Sequence, residues 1–225
     1  MGGDSGPADE RPSHRIDLQA YSIERTKVTN RQFAEFLNAK GLGPKDRHWY
    51  DDDDGDARIH RVAGKWMADA GAEQFPVVEA TWFGAQEYCR WAGRRLPTEA
   101  EWEKAARGTD GRRYPWGDAP PVRTRAHFGA GLHEFIPVGS LPSGASPYGL
   151  LDMAGNGWEW VSSAYKPYPY SATDGRENAD VIIERVTRGG GHDVGVDKLT
   201  TTHRGRGVSR IPQAGHHNIG FRCAR

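Results

Sequence analysis

The sequence predicts a mixed α+β domain in which short regular elements are set among long ordered loops. Three observations predict it. Three segments carry helix-capping signals, several short runs show strand-like patterning bounded by glycine, and the stretch between the third helical segment and Gly155 is dense in Gly and Pro with little periodicity. No repeat of fixed period and no break in composition divides the 225 residues, so residues 1–225 read as a single domain.

The helices come first. Thr29-Asn30-Arg31-Gln32 has the form of a capping box, with Val28 and Phe33 placed as a hydrophobic staple. Phe33, Phe36 and Leu37 follow at helical spacing, and Gly41 is a suitable stop. A second helix is predicted from Thr81, carrying Ala85, Tyr88, Cys89 and Ala92 on one face and ending at Gly93. Thr98-Glu99-Ala100-Glu101 is another capping box; Trp102, Ala105 and Ala106 supply the apolar stripe and Gly108 closes the turn. Strands are expected at His14–Leu18, Tyr21–Glu24, Trp158–Val161, Arg185–Arg188 and Ile219–Cys223. A Gly/Pro stretch as long as the one before Gly155 is expected to be functional, or pinned by a ligand or metal.

Hydrophobic residues make up 36% of the chain, and eight tryptophans accompany 29 glycines, so a few large aromatics must carry much of the core. Aromatics at 10% exclude a disordered chain. No run approaches the roughly 20 apolar residues that cross a bilayer, so no membrane partner is expected. Met1–Gly6 has neither a basic nor an apolar leader region, which gives a cytoplasmic expectation. Cys89 and Cys223 could form one disulfide, but each reads first as a small buried hydrophobe.

The formal charge is zero but unevenly spread. From Arg185 to Arg225, seven arginines and one lysine face only Asp193 and Asp197. Either these arginines brace loops, or they bias one face toward an anionic partner. No basic run or RNA-binding motif points to nucleic acid. The adjacent carboxylates Asp51–Asp54 repel one another and lack EF-hand spacing, so they read as a solvated loop. His192, His203, His216 and His217 show no His-x-x-x-His pair and read as surface or hydrogen-bonding groups.

Several longer motifs occur in a set order: Val28-Thr29-Asn30-Arg31-Gln32-Phe33, Arg94-Arg95-Leu96-Pro97-Thr98-Glu99-Ala100-Glu101-Trp102-Glu103, Tyr114-Pro115-Trp116-Gly117, Tyr148 through Trp160, Arg188-Gly189-Gly190 and Asn218 through Cys223. Together they resemble the successive signatures of the formylglycine-generating, or sulfatase-modifying, family across nearly the whole chain. The resemblance implies a C-type-lectin-like fold. It also implies a chemistry, in which two cysteines shortly after Arg-Gly-Gly bind copper and activate oxygen; soft thiolates suit Cu(I). Here the family pattern would place those cysteines at about Val194 and Leu199, so neither bound copper nor formylglycine formation is expected.

A second group that shares this fold, the variable proteins of diversity-generating retroelements, places a variable segment between the Arg-Gly-Gly strand and a terminal Ile-Gly-Phe-Arg strand. That likeness implies a non-catalytic ligand-binding protein. Its ligand would be a protein or other macromolecule, met on an exposed face by His192, Asp193, Val194, Val196, His203, Arg206, Gln213 and His216. The alternative is an enzyme of the same family with altered chemistry, an oxygenase or a protein-maturation factor. Finally, the Gly155-Asn156-Gly157-Trp158-Glu159 turn is similar to a family calcium site of backbone carbonyls and one carboxylate. The likeness assigns Gly155, Asn156, Gly157 and Glu159 to a structural Ca²⁺.

Overall fold

The computed structural model describes residues 1–205 and 211–225. Its helices form where local chemistry dictates. In α1 (Asn30–Lys40) the Thr29 hydroxyl accepts from Gln32 N at 3.3 Å, while Gln32 Oε1 accepts from Thr29 N at 2.9 Å. α3 (Glu99–Arg107) repeats the device with Thr98 and Glu101. α2 (Trp82–Trp91) is capped by Thr81 Oγ1, which accepts from Gly84 N. Each reciprocal cap satisfies two backbone N–H groups that the first turn leaves without partners.

The central sheet has three strands in the order β4–β3–β5: β3 is Trp158–Ala164, β4 Arg185–Arg188 and β5 Ile219–Phe221. β4 runs antiparallel to β3, with Glu159 opposite Arg188, and β5 runs parallel to β3, with Glu159 opposite Gly220. Because β3 is covered on both faces, its side chains divide between two cores. Trp158 and Trp160 join Phe33, Phe36, Trp82, Tyr88 and Phe221 on the side of α1 and α2. Val161 joins Trp102, Ala105, Ala106 and Val186 on the side of α3. Glu159 sits between two tryptophans in this strand and is itself wholly buried.

Two predicted strands do not form. His14–Leu18 alternates in exposure but has no ladder partner, and from Tyr21–Glu24 only Ile23 makes a bridge, to Ala224. A hairpin that the patterning did not show, β1 (Ile59–Val62) and β2 (Lys65–Ala68), turns at Ala63 and Gly64, both at positive φ. Asn38 of α1 holds it by exchanging hydrogen bonds with both backbone groups of Trp66.

Cys89 and Cys223 are buried as expected, but they are bonded to each other across the first core, closing a sequence separation of 134 residues. Bridges of this kind persist in oxidising compartments and are rare in reducing ones. No helix among the described residues is long and apolar enough to cross a membrane. Replacing both cysteines by alanine is expected to lower the unfolding free energy by about 2–4 kcal/mol in urea titrations; an unchanged midpoint would show that the bond does not form in solution.

Candidate functional site

The geometry of the site begins at Glu159. Its carboxylate accepts from Arg222 Nε at 2.7 Å and from Arg222 Nη2 at 2.8 Å, the latter on the other oxygen. Trp102 Nε1 donates at 3.0 Å, and Lys27 Nζ stands 3.3 Å away. Burial alone would raise the Glu159 carboxyl, but Arg222 and Lys27 outweigh it and hold it below the usual carboxylate range.

This arrangement corrects the calcium assignment. The turn does aim backbone carbonyls inward, but at an ammonium: Lys27 Nζ donates to Asp152 O at 2.5 Å and to Gly155 O at 3.1 Å. Gly155 has φ +81°, and a Cβ there would lie 2.2 Å from His127 O, so only glycine lets the turn close. Asn156 exchanges side-chain hydrogen bonds with both backbone groups of Ile136. Gly157, also at positive φ, approaches the Lys27 side chain. Two carbonyls and one carboxylate therefore meet a cation that the chain itself carries.

The segment leaving β4 is fastened in the same way. Arg188 donates to Glu103 Oε2 at 2.6 Å and to the carbonyls of Thr201 and Thr202, each at 2.8 Å. Arg204 binds both oxygens of Glu99, at 2.7 and 3.1 Å. Arg185 donates to the carbonyls of Ser162, Asn178 and Val181. With Arg222, these arginines are wholly buried, so they brace loops and do not form a positive face.

Of the residues expected on an exposed contact face, His192 and His203 are in the interior. His192 is 0% exposed, bonds Leu132 O at 2.7 Å through Nε2, and packs its ring 4.0 Å from that of Phe135. Burial holds its pKa below the ordinary histidine value. His203 is 3% exposed and bonds Glu10 Oε1 at 3.0 Å. Val194 is half-buried against the core, and its carbonyl accepts from Gly129 N. Asp193 is half-buried too, with Asn218 Nδ2 at 3.1 Å and His217 Nε2 at 3.3 Å.

Val196 stands in the open at 48% exposure. Gln213 is half-buried, as is His216, whose pKa burial lowers. Arg206 lies outside the described residues. The structure thus leaves Val196 exposed and Gln213 half-buried, encloses His216 Nε2, and fixes His192, Asp193, Val194 and His203 as supports. Leu199 is 0% exposed and packs with Tyr114, Ala126 and Ala154.

The loop read as solvated is only partly so. Asp52, Asp53 and Asp54 are exposed, but Asp51 turns in to accept from Gly215 N at 2.6 Å, and Asp54 and Asp56 converge on Glu79. Sequence reasoning missed Glu79. The one signal for it was a carboxylate in the otherwise apolar run Phe75-Pro76-Val77-Val78-Glu79-Ala80.

Comparison with known proteins agrees with this scaffold. A family model for the sulfatase-modifying factor enzyme 1-like domain matches residues 1–225. The chain belongs to this family. It is 32% identical over 286 residues to the formylglycine-generating enzyme of Mycobacterium tuberculosis, covering 99% of this chain and 93% of that enzyme. It is 36% identical over 224 residues to the hercynine oxygenase of Mycolicibacterium thermoresistibile, covering 87% of this chain and 49% of that protein. To the serine/threonine-protein kinase pkn1 of Chlamydia caviae it is 38% identical over 230 residues, covering 100% of this chain and 36% of the kinase. The chain therefore spans half or less of the length of these last two relatives.

Among solved structures it is similar to PvdO from Pseudomonas aeruginosa, with a TM-score of 0.74 at 25% identity over 97% of this chain and 85% of the other. It also resembles the Treponema denticola variable protein 1, with a TM-score of 0.68 at 20% identity over 99% and 90% of the two chains. The latter likeness is one of fold. The family includes enzymes, and the α+β scaffold expected from the motifs is the one observed.

Two predictions follow from the placement of these side chains. Lys27→Met should cost about 3–5 kcal/mol in urea unfolding, because the carbonyls and Glu159 lose their buried cation. Stability equal to wild type would show that Lys27 is not what holds the turn. Likewise His192→Ala should cost about 1–3 kcal/mol, whereas Val196→Ala should stay within about 0.5 kcal/mol; similar losses would contradict the division into support and surface.

Proposed function

We propose that this family member is a non-catalytic ligand-binding protein that meets a macromolecular partner, a protein, on the loops joining β4 to β5. One observation carries the reading. Leu199, at the position where the family pattern calls for a copper thiolate, is fully buried in an apolar cluster. Val194 fills the other position, half-buried against the core. The chain's two cysteines are consumed in the Cys89–Cys223 bridge, so no thiol among the described residues remains for Cu(I).

The remaining accessible side chains favour a broad contact over a substrate pocket. Val196 is an exposed apolar group beside Asp197 and Lys198, and half-buried Gln213 lies further along the same connection. Exposed apolar groups among polar neighbours are a common composition for protein contacts. The buried arginine braces keep the flanking backbone fixed, so a change at these positions alters the surface without disturbing the strands.

Two experiments test the proposal. Copper-loaded protein incubated with a sulfatase-type cysteine peptide should give no formylglycine by mass spectrometry above a protein-free control; turnover above it refutes the non-catalytic reading. A photo-crosslinking residue at position 196 should capture a partner from the native host. The same residue at exposed Met67 on β2 should not, and equal capture at both sites would remove the contact assignment.

A further inference from the structure

The carboxylates of Asp54, Asp56 and Glu79 offer oxygen atoms that all lie within 4.8 Å of one another. Three acidic groups on a surface would mean little, because water solvates such clusters routinely. Here Glu79 changes the argument. It is 2% exposed, and among the described residues its carboxylate has neither a hydrogen-bond donor nor a cation. A buried carboxylate is ordinarily paired, because an uncompensated one carries a large desolvation penalty. Other carboxylates of the interior obey that rule: Glu159 has Arg222 and Lys27, Glu99 has Arg188 and Arg204, and Glu103 has Arg188 and Arg107.

Glu79 is instead aimed at more negative charge. Burial, with Asp54, Asp51 and Asp56 adding to it in that order, pushes its carboxyl up to about 8. The neighbouring imidazoles are engaged with other carboxylates. His133 Nδ1 stands 3.2 Å from Asp56 Oδ1 on the outer side, and His48 is engaged with Asp51. The backbone holds the arrangement: Glu79 N donates to His216 O at 3.1 Å, Asp51 N donates to Glu79 O at 3.0 Å, and Asp56 N donates to Asp54 Oδ1 at 2.8 Å.

We propose that Asp54, Asp56 and Glu79 form a binding site for a divalent, oxygen-preferring cation of calcium's size. Oxygens all within 4.8 Å of one another can share one ion at the roughly 2.3–2.6 Å that Ca²⁺ takes. Three carboxylates in an irregular loop suit its flexible shell better than the near-ideal octahedron of Mg²⁺, which usually keeps its waters. Three carboxylates give the charge that a hard dication requires, and exposed Asp54 leaves room for water to complete the shell. The ion would tie the 51–56 loop to Glu79. Through the Glu79–His216 and Asp51–Gly215 hydrogen bonds it would also fix the backbone of residues 215–216. This site is separate from the turn at Gly155–Glu159, where Lys27 supplies the cation.

The test uses the full chain, melted in EDTA and in Ca²⁺ or Mg²⁺. At a 100-fold excess over its Kd, Ca²⁺ should raise the wild-type Tm by about 5–10 °C, and Mg²⁺ should do less. Glu79→Gln should abolish the Ca²⁺ response and, in EDTA, melt at or above wild type, because it removes an uncompensated buried acid. Asp56→Asn, on the accessible side, should abolish the response with little change in EDTA. No Ca²⁺ shift in wild type overturns the proposal, as does a stronger response to Mg²⁺. A Ca²⁺ shift that persists in Asp56→Asn, or in a folded Glu79→Gln, would place the ion elsewhere and overturn it equally.

Discussion

The carboxylate of Glu159 is the point at which the chain is tied together. It lies on the middle strand of the sheet, yet its partners come from Lys27 near the start of the domain, Trp102 on α3 and Arg222 beyond β5. Arg222 also donates to the carbonyls of Glu24, Arg25 and Leu151, so one guanidinium holds the N-terminal segment and the loop before β3 against the last strand. Buried ion pairs contribute little net stability against a well-packed apolar alternative, but breaking one is costly. Their effect here is to exclude other arrangements, because a buried charge left without a partner of opposite sign is costly.

The same principle governs the region between β4 and β5. Arg188 and Arg204, held by Glu99 and Glu103, fix the backbone on both sides of Thr201–His203. A loop anchored by charge at its base can carry different side chains at its tip. It cannot, however, offer all its residues to a ligand, and that is why His192 and His203 are interior while Val196 is free. The sheet and α3 thereby set which positions of this connection reach the surface.

The parts of this fold legible in the sequence are those whose causes are local. Capping boxes at Thr29 and Thr98 announce α1 and α3 because the interacting groups lie three residues apart. The glycine-bounded strands were readable for a similar reason. The β1–β2 hairpin escaped because Ile59–Val62 exposes three of its four residues and has no apolar alternation, leaving Ala63-Gly64 as a weak turn signal. Lys27 escaped because its partners are 125 and 128 residues away, and nothing near it distinguishes a buried lysine from a surface one. His192 and Glu79 failed for the same reason: burial was decided by distant segments, Leu132 and Phe135 in one case and the 51–56 loop in the other.

The parallel pairing of β5 with β3 carries a consequence for biosynthesis. β5 supplies Ile219 and Phe221 to the first core, and Arg222 and Cys223 follow directly, so neither the core nor the Glu159 cluster can close until residues near 223 have left the ribosome. Until then Trp158 and Trp160 have an open strand edge, and the acid between them lacks its guanidinium. Helices α1 to α3 can form early from local signals, but a nascent chain without β5 exposes a sheet edge and apolar surface together, the combination that recruits holding chaperones.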